Sequence, residues 1–177
     1  MKEERKLLTI ISSLSSVGMY ISGAGILIMA LIITLEVIGR YFLGFSLLVT
    51  DEWSGYLMVA VTFLGLAYTM RERGFLRMEL LIKRLSPQKR NFLNIILILV
   101  ALTYSVLIDY KLFLFAWSSY TRGYSSISIS QTPLYIPQIF MSLGMTLLVL
   151  ELFREGLQSF YDWIAPNAHY QKGRNKK

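Results

Sequence analysis

GILIMALIITL, residues Gly25–Leu35, is the stretch whose reading decides the fold. It is uncharged throughout and has no alternation, with Thr34 its one polar side chain. A strand of an outer-membrane barrel alternates apolar and polar side chains over about 10 residues. A helix in hydrocarbon is apolar all round and satisfies its own backbone hydrogen bonds. The run lies within a longer stretch, Leu7–Leu35, that has no charged residue in 29 positions. Three more neutral stretches follow: Trp53–Met70 and Asn91–Ile108, of 18 residues each, and Gly123–Leu150, of 28. A helix rising about 1.5 Å per residue needs about 20 residues to cross a hydrocarbon core about 30 Å thick. The first stretch opens on serines, which places its spanning part at Val17–Ile38. The second span fits Trp53–Met70 and the third Phe92–Phe113. The fourth stretch has a polar front, GYSSISISQTP (123–133), which leaves Leu134–Phe153. The expected fold class is an all-α integral membrane protein, with one four-helix membrane domain over 1–177, a short N-terminus and a C-terminal tail.

Of the 177 residues, 54% are hydrophobic and only 16% are charged, against about 25% charged in ordinary soluble domains. There is no cysteine, which excludes a disulfide framework and thiolate chemistry. The formal charge of +7 would point to nucleic acid in a soluble chain. Here the basic residues lie between neutral runs, and their distribution has another cause. Fifteen of the 18 Lys and Arg precede the first span, separate the second from the third, or follow the fourth. Only Arg40, Lys111 and Arg122 lie towards the other side. The excess of basic residues on the cytoplasmic side of membrane proteins then puts both termini and the middle loop in the cytoplasm. The first span is too long for the h-region of a cleaved signal peptide, about 7–15 residues.

Charged and aromatic residues gather at the span boundaries. Glu36 and Arg40 are four apart, so a continued helix brings them onto one face. Thr50 is placed to cap the second helix, and Asp51 and Glu52 lie where free N–H groups favour negative charge. Tyr41, Phe42 and Trp53 supply interfacial aromatics. Two readings stay open for this region: boundary anchoring with capping, or a reach of Arg40 and Glu52 towards a partner subunit. In the middle loop, Phe75, Met78, Leu81, Ile82 and Leu85 recur at helical spacing beside Arg71, Arg73 and Arg77. This predicts a short interfacial helix between the second and third spans, stopped before Pro87. It could anchor in lipid or dock a partner. Thr121–Gln138 reads as an ordered loop on the side away from the termini, with Pro133 ahead of the fourth helix and Pro137 in its first turn.

The spans carry little chemistry. The single histidine, His169, lies in the tail, and Asp109 reads as lying near the far end of the third span. No nucleophile has a matching base, no metal cluster can be assembled, and no broken helix marks a midplane substrate site. Gly18, Gly23, Gly25, Gly55, Gly65 and Gly144 could let helices approach closely. The chain reads as a membrane scaffold. The alternatives are an independent four-helix channel or exporter, whose pathway a homo-oligomer would supply, and an assembly adaptor without a transport role.

Three motifs in order carry a family resemblance: VIGRYFLGFS (Val37–Ser46), TDEW (Thr50–Trp53) and GLAYTMRERGFLRMELLIKRLSP (Gly65–Pro87). Together they resemble the DctQ-like small membrane subunit of tripartite ATP-independent periplasmic (TRAP) transporters. In that pattern Arg40 and Tyr41 match an Arg-Tyr pair, and Asp51 and Glu52 match an acidic pair that starts the second helix. Arg71 and Gly74 match the motif after it, Phe75 stands where histidine is frequent, and Glu79 takes the acidic position. The resemblance implies a bacterial inner-membrane scaffold for a large multispanning permease subunit. That partner would import an organic acid, coupled to sodium, from a periplasmic substrate-binding protein. The small subunit itself would bind no cofactor, metal or substrate. It implies further that Arg40 and Glu52 face the large subunit or the outer boundary, and that Arg71, Arg73 and Arg77 secure the inner boundary in contact with lipid.

Overall fold

The computed structural model describes residues 2–44, 49–72 and 87–164. Four helices account for nearly all of them: α1 (Lys2–Leu43), α2 (Thr50–Arg71), α3 (Pro87–Arg122) and α4 (Tyr135–Ile164). Each contains a segment long and apolar enough to cross a membrane, namely Leu8–Phe42, Thr50–Arg71, Phe92–Arg122 and Tyr135–Phe160. The α1–α2 connection and the α3–α4 loop lie at one end, the loop end. The start of α1 and the finish of α4 lie at the other, the terminal end.

One expectation about the fold class is corrected. The described residues form four helices in all, each of spanning length, and among them there is no short interfacial helix between the second and third. Arg71, expected to open that element, is the last residue of α2. Pro87, expected to stop it, is the first residue of α3. A proline that forbids continuation of one helix is equally suited to starting the next, because its missing N–H is not needed in a first turn. Residues 73–86, where the rest of the expected helix falls, lie outside the described residues.

The helices are also longer than the neutral runs implied. α1 begins at Lys2 instead of Val17, and α3 continues to Arg122 instead of Phe113. Serines and an isolated charge end a hydropathy run, but they do not end a helix. α4 is the axis of the fold. It packs along both α2 and α3, α2 also packs along α1, and α1 meets α4 over a shorter stretch. Met145, Leu148 and Leu152 of α4 form the buried apolar core, with Leu66 and Met70 of α2 and Ala101, Leu102, Ile108 and Leu112 of α3 against it.

Two close approaches hold α2 in place. A Cβ on Gly18 of α1 would stand 2.7 Å from the Leu64 carbonyl oxygen, and one on Gly144 of α4 would stand 2.4 Å from the Phe63 backbone. Adjacent residues of α2 are thus gripped from two sides by backbones with no side chain between. Gly25 similarly makes room for Val61, whereas Gly23 and Gly55 face open space. Small residues at such contacts are the usual device where lipid removes any hydrophobic drive for helices to associate.

Candidate functional site

At the loop end two carboxylates organise the chain. α2 starts after Val49, which makes no side-chain cap. Thr50 does not cap the helix as expected. Its buried hydroxyl donates to Glu36 Oε2 at 3.1 Å, while Glu36 Oε1 accepts from Arg40 Nη2 at 2.9 Å. Glu36 is therefore the joint between α1 and α2, and the Arg40 side chain, 63% exposed, screens it from outside. Tyr41 and Phe42, both exposed, meet edge to face at 5.1 Å. Trp53 is half-exposed on the first turn of α2. Asp51 and Glu52 lie in that turn, where backbone N–H groups favour them.

Glu52 turns to the α3–α4 loop. It accepts hydrogen bonds from Ser128 and Ser130, and from the Tyr56 hydroxyl at 2.5 Å. The segment bends and turns here, with the Gln131 N–H donating to the Ser128 carbonyl at 3.1 Å, and this brings Ser128 and Ser130 to the same carboxylate. Serines line the Glu52 side, and Ile127 and Ile129 are left exposed. The loop closes on itself through an isolated bridge between Ser125 and Pro133, with the Ser126 N–H donating to the Thr132 carbonyl at 2.9 Å. Arg40 and Glu52 are thus held by different partners.

The terminal end has a seam that sequence reading missed. Arg71 Nη1 donates to the Ser12 carbonyl at 2.6 Å, to Ser12 Oγ at 2.8 Å and to Ser16 Oγ at 2.9 Å. Its guanidinium also lies 4.6 Å from the centre of the Tyr68 ring. Beside it, Glu151 of α4 is only 1% exposed. Its Oε1 accepts from Ser15 Oγ at 2.5 Å, and its Oε2 from Arg154 Nε at 2.5 Å. The serines taken as a polar lead-in are therefore the part of α1 that receives α2 and α4. A signal was present: Ser12, Ser15 and Ser16 are spaced by three and four, one face of a helix. Of the remaining residues singled out from the sequence, Arg73, Gly74, Phe75, Arg77 and Glu79 lie outside the described residues.

The third polar group is Asp109. It is set against α4, where Thr146 Oγ1 lies 3.0 Å and Ser142 Oγ 3.4 Å from its carboxylate oxygens. Ser142 also lines a groove of about 360 Å³ between α3 and α4, walled by Phe113, Trp117, Tyr120, Tyr135 and Ile139. Among the described residues there is no group of three or more metal-ligating side chains.

Four spanning helices, tied to one another by carboxylates, serines and arginines around an apolar core, define a multi-pass membrane subunit. Residues 29–160 match the family described as tripartite ATP-independent periplasmic transporters, DctQ component, and the chain belongs to that family. It is also 29% identical over 136 residues to the ectoine TRAP transporter small permease protein TeaB of Halomonas elongata, an overlap covering 77% of this chain and 68% of that protein. Proteins of this family are non-catalytic transporter subunits, small permease scaffolds that generally work with a large permease and a periplasmic binding protein.

Proposed function

We propose that this chain is the static scaffold of a sodium-coupled importer. It holds a large permease whose moving part carries a small organic acid or related solute delivered by a binding protein. Both of its termini face the cytoplasm of a bacterial inner membrane. The observation that carries this reading is the packed interior: Met145, Leu148 and Leu152 fill the space between α2 and α3. Most of the charged groups nearest that interior are bonded within the chain, so the path for substrate belongs to a partner. Anchoring at two heights suits a part that must resist being dragged as another slides. Arg71 with Tyr68 marks one boundary, and Arg40 with Tyr41, Phe42 and Trp53 marks the other. The solute named for the Halomonas relative, ectoine, is one candidate cargo. The fifteen-to-three basic imbalance supports the orientation.

Reconstitution tests the proposal. Vesicles holding this chain and the large permease, supplied with the binding protein, should take up labelled solute only under an inward sodium gradient and only with all three components. In the same vesicles, Ser126→Cys should react with an impermeant thiol reagent from the binding-protein side and Ser86→Cys should not. Solute flux through vesicles that hold this chain alone would overturn the reading.

A further inference from the structure

Depth in the membrane can be read from α2. Glu52 and Arg71, at its two boundaries, are 19 residues apart, about 28 Å of helix and close to the hydrocarbon thickness. Phe63 lies 11 residues below Glu52, about 16 Å down and so near the midplane. Gly144 of α4 packs directly on Phe63, which puts the neighbouring Ser142 and Thr146 at the same level. Asp109 accepts from Thr146 at 3.0 Å and lies beside Ser142, so it is at the midplane as well. This corrects the position near a span end that its place in the sequence suggested.

An ionised carboxylate has about four lone-pair sites. Asp109 meets two hydroxyls, each with a single proton. The proton of Thr146 is shared with the Ser142 carbonyl at 2.9 Å, and Ser142 Oγ at 3.4 Å is beyond the ordinary hydrogen-bond range. Lys111 is two residues along and so faces the other side of the helix. Among the described residues no basic side chain pairs with Asp109. Two other carboxylates, Glu36 and Glu151, are treated differently, for each has an arginine. Asp109 is also only partly covered, and Thr146 is exposed beside it. A charge at this depth calls for a partner.

We propose that the face formed by Asp109, Thr146 and the adjoining aromatic groove is the docking site for a membrane-spanning helix of the large permease. That helix presents a basic or hydrogen-bond-donating side chain to Asp109 and sets an apolar side chain among Phe113, Trp117 and Tyr135. The inference rests on the reading of this chain as a small permease subunit. Charge complementarity selects the occupant. An acyl chain could fill the groove but carries no donor to the midplane. A second copy could offer Lys111, but Lys111 and Asp109 lie on opposite sides of α3. The contact would run head to tail and would not close into a symmetric dimer. The far face of α1 is different, since Leu27 and Leu31 are exposed within 29 residues that carry no charge. That face suits lipid.

A photo-reactive amino acid placed in the assembled complex separates the outcomes. At position 113 it should cross-link to the large permease, and at position 27 it should not. Asp109→Leu should reduce the large permease recovered with this chain by about tenfold in mild detergent, the scale of the stronger interhelical hydrogen bonds. Its own elution volume should be unchanged, and its melting temperature should fall no further than that of Thr146→Val, which removes the same hydrogen bond within the chain. Cross-links from position 27 but not 113 would overturn the assigned face and leave the small-subunit reading standing. Links from position 113 only to another copy, or only to lipid, would also overturn it. If the unsubstituted chain retains no large permease, the underlying reading fails and this inference with it.

Discussion

Glu151, where α4 meets α1, and Asp109, where α3 meets α4, are both carboxylates on membrane-length helices, and the fold surrounds them differently. Glu151 is enclosed, with Ser15 on one oxygen and Arg154 on the other. On the same side of the bundle the backbones of α1 and α4 approach α2 at Gly18 and Gly144 with no room for a methyl group. Asp109 has two hydroxyls and no cation among the described residues, next to an aromatic groove that stays open. The α1–α2–α4 side is complete in itself. The α3–α4 side is complete only with something added. In hydrocarbon this distinction is sharper than in water, because solvent cannot make up a missing partner.

The largest effect that could break this contrast is at Glu151. Glu151→Ala leaves the Arg154 guanidinium, 15% exposed, without its counter-charge. Removing one member of a buried pair costs about 3–5 kcal/mol, read as a lowered melting temperature of the purified subunit in detergent. A shift no larger than that of Asp109→Ala would show the two sites to be equivalent. Next come the glycines. Gly18→Ala drives a methyl into the Leu64 carbonyl and should cost about 1–3 kcal/mol, the usual range for overpacking. Gly23→Ala, which meets nothing, should fall within about 0.5 kcal/mol of the parent. Equal melting of these two variants would mean that α1 and α2 are not in close backbone contact. The smallest effect is expected at Thr146→Val, which removes one donor from Asp109. In the isolated subunit it should cost about 0.6 kcal/mol, the average for interhelical hydrogen bonds in membranes. A loss approaching that of Glu151→Ala would make the α3–α4 side as self-contained as the other.

Some of the site was legible from local chemistry. The Glu36–Arg40 pair followed from a spacing of four on a helix, and the acidic first turn of α2 from the preference of carboxylates for helix N-termini. Thr50 misled because its hydroxyl had two possible uses. Which one prevailed depended on Glu36, 14 residues earlier on another helix. The SISIS segment could be read as alternating, but what the serines faced could not, since Glu52 is more than 70 residues earlier. Pro87 supported a helix end and a helix start equally well, and the start is what the structure shows.

The amino-acid sequence by itself determined that the chain crosses a membrane four times as helices. Transfer into hydrocarbon is additive over contiguous residues and needs no knowledge of neighbours. The tertiary structure alone decided that α4 is the central helix, that Ser12, Ser15 and Ser16 form a seam, and that Asp109 lies level with the middle of α2. Each of these depends on the register between helices far apart in the chain. Register is set by where Gly18 and Gly144 let backbones touch, a contact that joins residues with no periodicity in common.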